Sequence, residues 1–167
     1  ALSGECADEL FGGYPWYFGE VDGFPWVRAI DEREQLLKPV WREELKLATM
    51  SRTFYEEALQ NISFSERSQQ LTQLNFDYFM QTLLERKDRM SMGSGLEVRV
   101  PFANHELVEY VWNIPWEMKT LGGQAKGLLR KATEHLLPEA IVTRKKTPYP
   151  KIQHPRYTQL VEQALQD

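Results

Sequence analysis

Glu5, Asp8 and Glu9 set three carboxylates within one short stretch, between a Ser3-Gly4 corner and the Gly12-Gly13 pair. Gly4 has no Cβ, so a ligand can come close to the backbone there. Ser3 offers a hydroxyl and is a candidate N-cap. If the chain turns helical after Ser3, free N–H groups face back towards the corner and favour an anion. Residues three apart share a helix face, which would set Glu5 beside Asp8. Two carboxylates next to an anion call for a bridging cation, and Mg²⁺ with a phosphate meets that need best. The plainer reading is a capped first helical turn whose acids complement the helix dipole. A second charged cluster, Arg144-Lys145-Lys146 ahead of Thr147-Pro148-Tyr149-Pro150, has the composition of a phosphate clamp or of a solvated surface run. Cys6, next to a helix start, would have a lowered thiol pKa. With no histidine nearby in sequence, it reads as a small buried filler. His105, His135 and His154 are isolated and lack zinc spacing. The chain has neither a G-x-x-x-x-G-K-S/T loop nor a G-x-G-x-x-G turn after a strand.

The elements that would position these groups are mostly helices. Tyr14, Trp16, Tyr17, Phe18, Phe24 and Trp26 would pack over the opening helix as core. Leu36, Leu37, Val40, Trp41, Leu45 and Ala48 recur at helical steps, with Pro39 opening a second helix and Ser51-Arg52-Thr53 breaking the run. Ser65 begins the longest helical stretch, which runs to about Met92, carries Phe76, Phe79, Met80, Leu83 and Leu84, and ends at Gly93 and Gly95. The stretch 96–102 alternates apolar and charged residues and is extended, because Pro101 disfavours helix at Val100. Asn104 caps a helix that Pro115 stops, Leu121-Gly122-Gly123 is a turn, and Ala125 to Leu136 forms an amphipathic helix. Pro138 starts a short helix to about Thr143, and Tyr157 to Leu165 gives a last one.

The 167 residues suit about one domain. A net charge of −4 argues against a nucleic-acid footprint, which needs a basic face. No apolar run approaches the roughly 18 residues of a membrane helix. One cysteine excludes internal disulfides and suits a reducing cytoplasm. The abrupt opening on Ala1-Leu2-Ser3 reads as a cut inside a domain, at the end of a strand.

Three blocks together resemble one family. Ser3-Gly4-Glu5-Cys6-Ala7-Asp8-Glu9 resembles the S-G-E-G-A/S-D-E signature of glutamine-hydrolysing asparagine synthetases. Asp88-Arg89-Met90-Ser91-Met92 with Glu97-Val98-Arg99-Val100-Pro101-Phe102 resembles their D-R-x-S-M…E-x-R-x-P-F block. Lys126 to Lys131, Leu137-Pro138 and Arg144-Lys145-Lys146 resemble the K-x-x-L-R…L-P…R-x-K tail. The likeness covers nearly the whole chain. Cys6 and Asn104 depart from the usual glycine and aspartate.

The resemblance implies a mostly α chain. It would be the C-terminal helical portion of an adenine-nucleotide α-hydrolase-like α/β synthetase domain, without its early parallel strands. Residues 1–167 would be a partial synthetase domain, with the glutaminase domain and the S-G-G-x-D-S pyrophosphate loop absent. The implied activity is ATP-dependent: aspartate becomes a β-aspartyl-AMP, which ammonia from a glutaminase domain attacks. The implied cofactors are ATP and Mg²⁺, with a homodimer in the full-length enzyme and no membrane or nucleic-acid partner. Ser3 and Gly4 match the pair that contacts ATP, and Glu5 matches the glutamate that forms or consumes the intermediate. Asp8 matches a Mg²⁺ ligand, and Lys146 the lysine on the α-phosphate and pyrophosphate. Asp88, Arg89, Glu97 and Arg99 would support the site from behind, Glu97 and Arg99 as a buried ion pair. The chain alone is expected to be inactive. The rival readings are a β-lactam-synthetase-like or other amidotransferase relative, which Glu5 argues against because that branch carries tyrosine there, and a non-catalytic helical interaction module.

Overall fold

The computed structural model describes residues 1–147 and 155–164. The chain divides into two compact units, Ala1–Thr133 and Glu134–Asp167.

The regular elements of the first unit are helices. Its elements are α1 (Ala7–Phe11), α2 (Ile30–Glu34), α3 (Pro39–Leu45), α4 (Leu47–Gln60), α5 (Arg67–Leu74), α6 (Gln81–Gly93), α7 (His105–Trp112), α8 (Trp116–Lys119) and α9 (Gly127–Thr133). A π-helical turn, Asn75–Met80, joins α5 to α6, so one helical rod runs through 67–93 as the periodicity predicts. Among the described residues there is no strand. The nearest feature is an isolated parallel bridge between Leu2 and Arg99, in which Arg99 N–H donates to Ala1 O at 2.8 Å and Ser3 N–H to Arg99 O at 2.9 Å. This bridge ties the front of the chain to the extended stretch before Pro101.

Two apolar clusters hold the unit together. Leu10, Phe11 and Val111 are buried, with Phe76, Phe102 and Leu107 against them. Phe24, Ala58 and Leu74 form the second, with Trp26, Tyr55 and Tyr78 around it. Leu10 and Leu74 have no exposed surface, a burial worth roughly 1.5–3 kcal/mol each. The aromatic segment packs as expected: Tyr14 stacks on Trp16 at 4.1 Å, and Trp26 on Phe79 at 5.0 Å. Phe18 is the exception, half exposed beside Trp116.

Several boundaries differ from expectation. Ser51-Arg52-Thr53 does not break the chain; α4 runs straight through it. The break falls at Lys46, whose backbone is left-handed at φ 44°. Ser3 does not cap α1. The cap position is Cys6, also left-handed at φ 71°, and no side chain caps it. Lys126, at φ 59°, delays α9 to Gly127, so that helix is shorter than the apolar pattern suggests. Asn104 does cap α7, its Oδ1 accepting from Leu107 N–H at 3.2 Å.

The second unit carries α10 (Glu139–Val142), which follows Pro138, and α11 (Pro155–Ala164). Residues 144–147 are exposed and non-helical. The rest of the expected basic, proline-locked loop, Pro148-Tyr149-Pro150, and His154 lie outside the described residues.

Candidate functional site

The front segment turns its acids in different directions. Glu5 precedes α1 and is half-buried; its Oε1 lies 3.1 Å from Lys87 Nζ on α6. The same ammonium donates to Ser3 Oγ at 3.2 Å. Glu5 Oε2 is buried and has no hydrogen-bond partner. Asp8 pairs with Lys126 Nζ at 2.9 Å, again half-buried. Glu9 points inward, 1% exposed, where Tyr14 OH donates to Oε1 at 2.6 Å. Tyr17 OH donates to Glu9 O at 3.3 Å. Burial and the Glu9 carboxylate push both phenols above their ordinary pKa.

Glu5 and Asp8 therefore do not share a helix face. Because α1 begins at Ala7, Glu5 lies outside it, and each acid has its own lysine instead of a common cation. With five residues and a start at Ala7, α1 gives Ser3-Gly4 no anion-binding helix end. Ser3 is half-buried and Gly4 exposed; the space where a Gly4 Cβ would stand is open. Gly13 is the crowded glycine. A Cβ there would lie 1.8 Å from Asp8 Oδ1 and 2.5 Å from Lys126 Cε, so its absence lets that ion pair close.

Cys6 is a buried filler, as expected, but its thiol is not activated. Burial first, then the Glu9 and Glu5 charges, push it up to about 12.

The remaining candidates are more peripheral. Asp88 and Arg89 are exposed on α6, and Arg89 pairs with Glu85 one helical turn back. Glu97 and Arg99 do form an ion pair, at 2.5 Å, but it is exposed, not buried. Arg99 serves the front segment through its backbone, by the bridge to Leu2. Lys146 lies in the second unit and is exposed.

Lys87 and Lys126 are the partners that sequence reading missed. Lys126 stood within the K-x-x-L-R block. Lys87 continues the stripe of Met80, Leu83 and Leu84 at helical spacing, while Asp88 and Arg89 fall off it. A lysine ending an apolar stripe was the available signal.

Two lysines and an open glycine suit an anionic polyphosphate. Among the described residues, no three His, Cys, Asp or Glu side chains gather to hold a metal ion. Mg²⁺ asks less of a protein, often one or two carboxylates with substrate phosphates completing the set, and Asp8 meets that.

The front segment thus sets a half-buried carboxylate–lysine pair, Glu5 with Lys87, beside the exposed Gly4 backbone. Comparison with known proteins gives the family. The sequence model of the asparagine synthase family matches residues 1–167, and the chain belongs to that family. It is 53% identical over 174 residues to Asparagine synthetase (glutamine-hydrolyzing) 3 of Bacillus subtilis, covering 99% of this chain and 28% of that protein. It is 29% identical over 194 residues to Asparagine synthetase (glutamine-hydrolyzing) 1 of the same organism, covering 90% and 30%. A putative asparagine synthetase (glutamine-hydrolyzing) 1 of Methanocaldococcus jannaschii is 32% identical over 118 residues, covering 71% and 15%. The chain thus spans under a third of the length of these relatives.

Proposed function

We propose that this chain is part of the synthetase domain of a glutamine-hydrolysing asparagine synthetase, a ligase that forms a carbon–nitrogen bond. The observation that carries the proposal is Glu5, half-buried, fixed by Lys87 at one oxygen and holding the other buried without a hydrogen-bond partner. Such an oxygen is placed to accept a proton from an attacking nitrogen.

The reaction has two steps. An aspartate side-chain oxygen attacks the α-phosphorus of ATP, and the bond to pyrophosphate breaks. The nitrogen of ammonia then attacks the β-aspartyl-AMP carbonyl, the bond to AMP breaks, and the nitrogen gives up a proton. Glu5 receives that proton. Lys87 holds Glu5 and Ser3 in register. Lys146 neutralises the charge that grows on departing pyrophosphate. Ser3 and Gly4 lie against ATP. Asp8 would hold Mg²⁺, which supplies charge neutralisation on the phosphates, in exchange for the ammonium of Lys126. The parallel bridge between Leu2 and Arg99 supports an adenine-nucleotide α-hydrolase-like α/β domain as the parent fold. We place the full-length protein in the cytoplasm as a homodimer, with ammonia delivered from its own glutaminase domain.

The test uses a full-length protein carrying this chain. Glu5→Gln should lower asparagine formation from aspartate, ATP and ammonia by roughly 100-fold or more, the scale of a lost general base. Lys87→Met should lower kcat with little change in the KM for ATP, and Lys87→Arg should restore part of it. Asparagine formation at the parental rate by Glu5→Gln would overturn the assignment of Glu5. An amide or lactam product from a carboxylic acid other than aspartate would move the chain to the rival amidotransferase reading.

A further inference from the structure

A second site lies in the first unit, where α5 meets the turn between α7 and α8. Lys119 closes α8, yet it is 4% exposed. Its ammonium donates to Trp112 O, the last carbonyl of α7, at 3.5 Å. That contact is at the outer limit of a hydrogen bond. It is also one bond for a group with three donors. A buried cation normally has a carboxylate beside it, and no acid lines this cavity among the described residues.

The cavity it faces is about 100 Å³, several times the space one water needs. Its mouth carries the exposed amides of Gln69 and Asn113, neither of which makes a side-chain hydrogen bond among the described residues. The hydroxyl protons of Ser68 and Thr72 are already committed, to Glu66 and to Ser68 O. The indoles of Trp112 and Trp116 form firm walls, Trp112 edge-on to Phe76 and Trp116 stacked on Tyr17. One cation at the base, amide donors at the rim and aromatic sides describe a receptor for one negative charge with a small hydrocarbon end.

We propose that this cavity binds a small monocarboxylate, seated with its carboxylate on the Lys119 ammonium and its carbon end against Trp112 and Trp116. Phosphate in its doubly charged form would bury a charge that one ammonium cannot match. The site requires none of Ser3, Glu5, Asp8 or Lys146.

Burial lowers the Lys119 pKa to about 8. The side chains lining the cavity with it, Ser68, Gln69 and Thr72 from α5 and Trp112, Asn113 and Trp116 from the α7–α8 region, carry no charge, and the carboxylate nearest this wall is Glu66, which accepts from Ser68 Oγ. Affinity for an anion is therefore nearly full at pH 7 and falls as Lys119 deprotonates through pH 8. Between pH 7 and pH 9.5 the fall is roughly 30-fold.

The experiment is saturation-transfer NMR on the acetate methyl signal, with a full-length protein carrying this chain and with phosphate added as a competitor of that signal. The expected result is a saturable acetate signal at pH 7, weakened roughly 30-fold at pH 9.5, and abolished by Lys119→Met. Gln69→Ala should weaken it a few-fold and keeps the test open if Lys119→Met fails to fold. Absence of saturation, equal binding by Lys119→Met, or equal affinity at the two pH values would overturn the proposal. Phosphate binding as tightly as acetate would overturn the monocarboxylate assignment.

Discussion

At the scale of single residues, Cys6 shows how a departure from a family pattern becomes a physical cost. It stands where the signature has glycine, and its backbone is left-handed at φ 71°. An L-residue there costs roughly 1–2 kcal/mol, and glycine avoids it. The thiol in return fills a fully buried space. Cys6→Gly therefore exchanges strain for a small cavity and should melt within about 1 kcal/mol of the parent. Cys6→Ala keeps the strain, loses the sulfur, and should fall below Cys6→Gly by about 1 kcal/mol. Hydrogen-exchange protection of residues 7–13 reads this locally; equal protection in the two variants would show that the left-handed backbone is not what glycine relieves. The same thiol, held at about 12, should resist alkylation at neutral pH in the folded protein. The acids of the front segment were visible in the sequence, but the shared helix face their spacing suggested does not form, because α1 begins at Ala7. Their partners were not visible, because Lys87 and Lys126 lie far along the chain and reach the front segment only through packing. Glu9 looked like the other two carboxylates, yet it points inward and accepts from Tyr14 OH.

At the scale of elements, periodicity located the helices and their connections set the errors. The rod over 67–93 was legible because one apolar pattern persists through it. The π turn inside it was not, since nothing in residues 75–80 breaks the helical period. The left-handed residues Lys46 and Lys126 were equally silent: lysine gives no local signal for that conformation, whereas Gly95 and Gly122 do. Gly127 offers the sharpest check on how α9 is set. A Cβ there would stand 2.3 Å from Leu121 O and 2.5 Å from Leu121 N, backbone atoms that cannot rotate away. Gly127→Ala should cost about 2 kcal/mol or more, because the start of α9 must shift. It should also lower activity by displacing Lys126 from Asp8. Asn104→Ala removes one cap and should cost about 1 kcal/mol without touching the site. Thermal melts of the two variants, read with asparagine formation, separate the effects. A Gly127→Ala protein as stable and as active as Asn104→Ala would show that close packing at α9 does not set the site.

At the scale of the whole molecule, the described surface carries more apolar side chain than a self-sufficient domain needs. Leu36 is 85% exposed, and Val40, Trp41 and Leu45 on α3 are also open to solvent. Scattered apolar exposure is ordinary, but a contiguous stretch on one short helix and its approach marks a surface that another body covers. No helix among the described residues is long and apolar enough to cross a membrane. The chain spans 28% of its Bacillus subtilis relative, so most of such a protein lies outside it. The two arguments meet in one expectation. The isolated chain should self-associate with rising concentration through this patch and should release no pyrophosphate from ATP with aspartate. A full-length protein should do the reverse, turning over while the patch stays covered. Sedimentation velocity measures the first half, with Trp41→Glu predicted to return the isolated chain towards monomer, and a pyrophosphate assay measures the second. A monodisperse isolated chain that turns over at the full-length rate would mean that these 167 residues hold a complete site, and that the exposed face of α3 is ordinary surface.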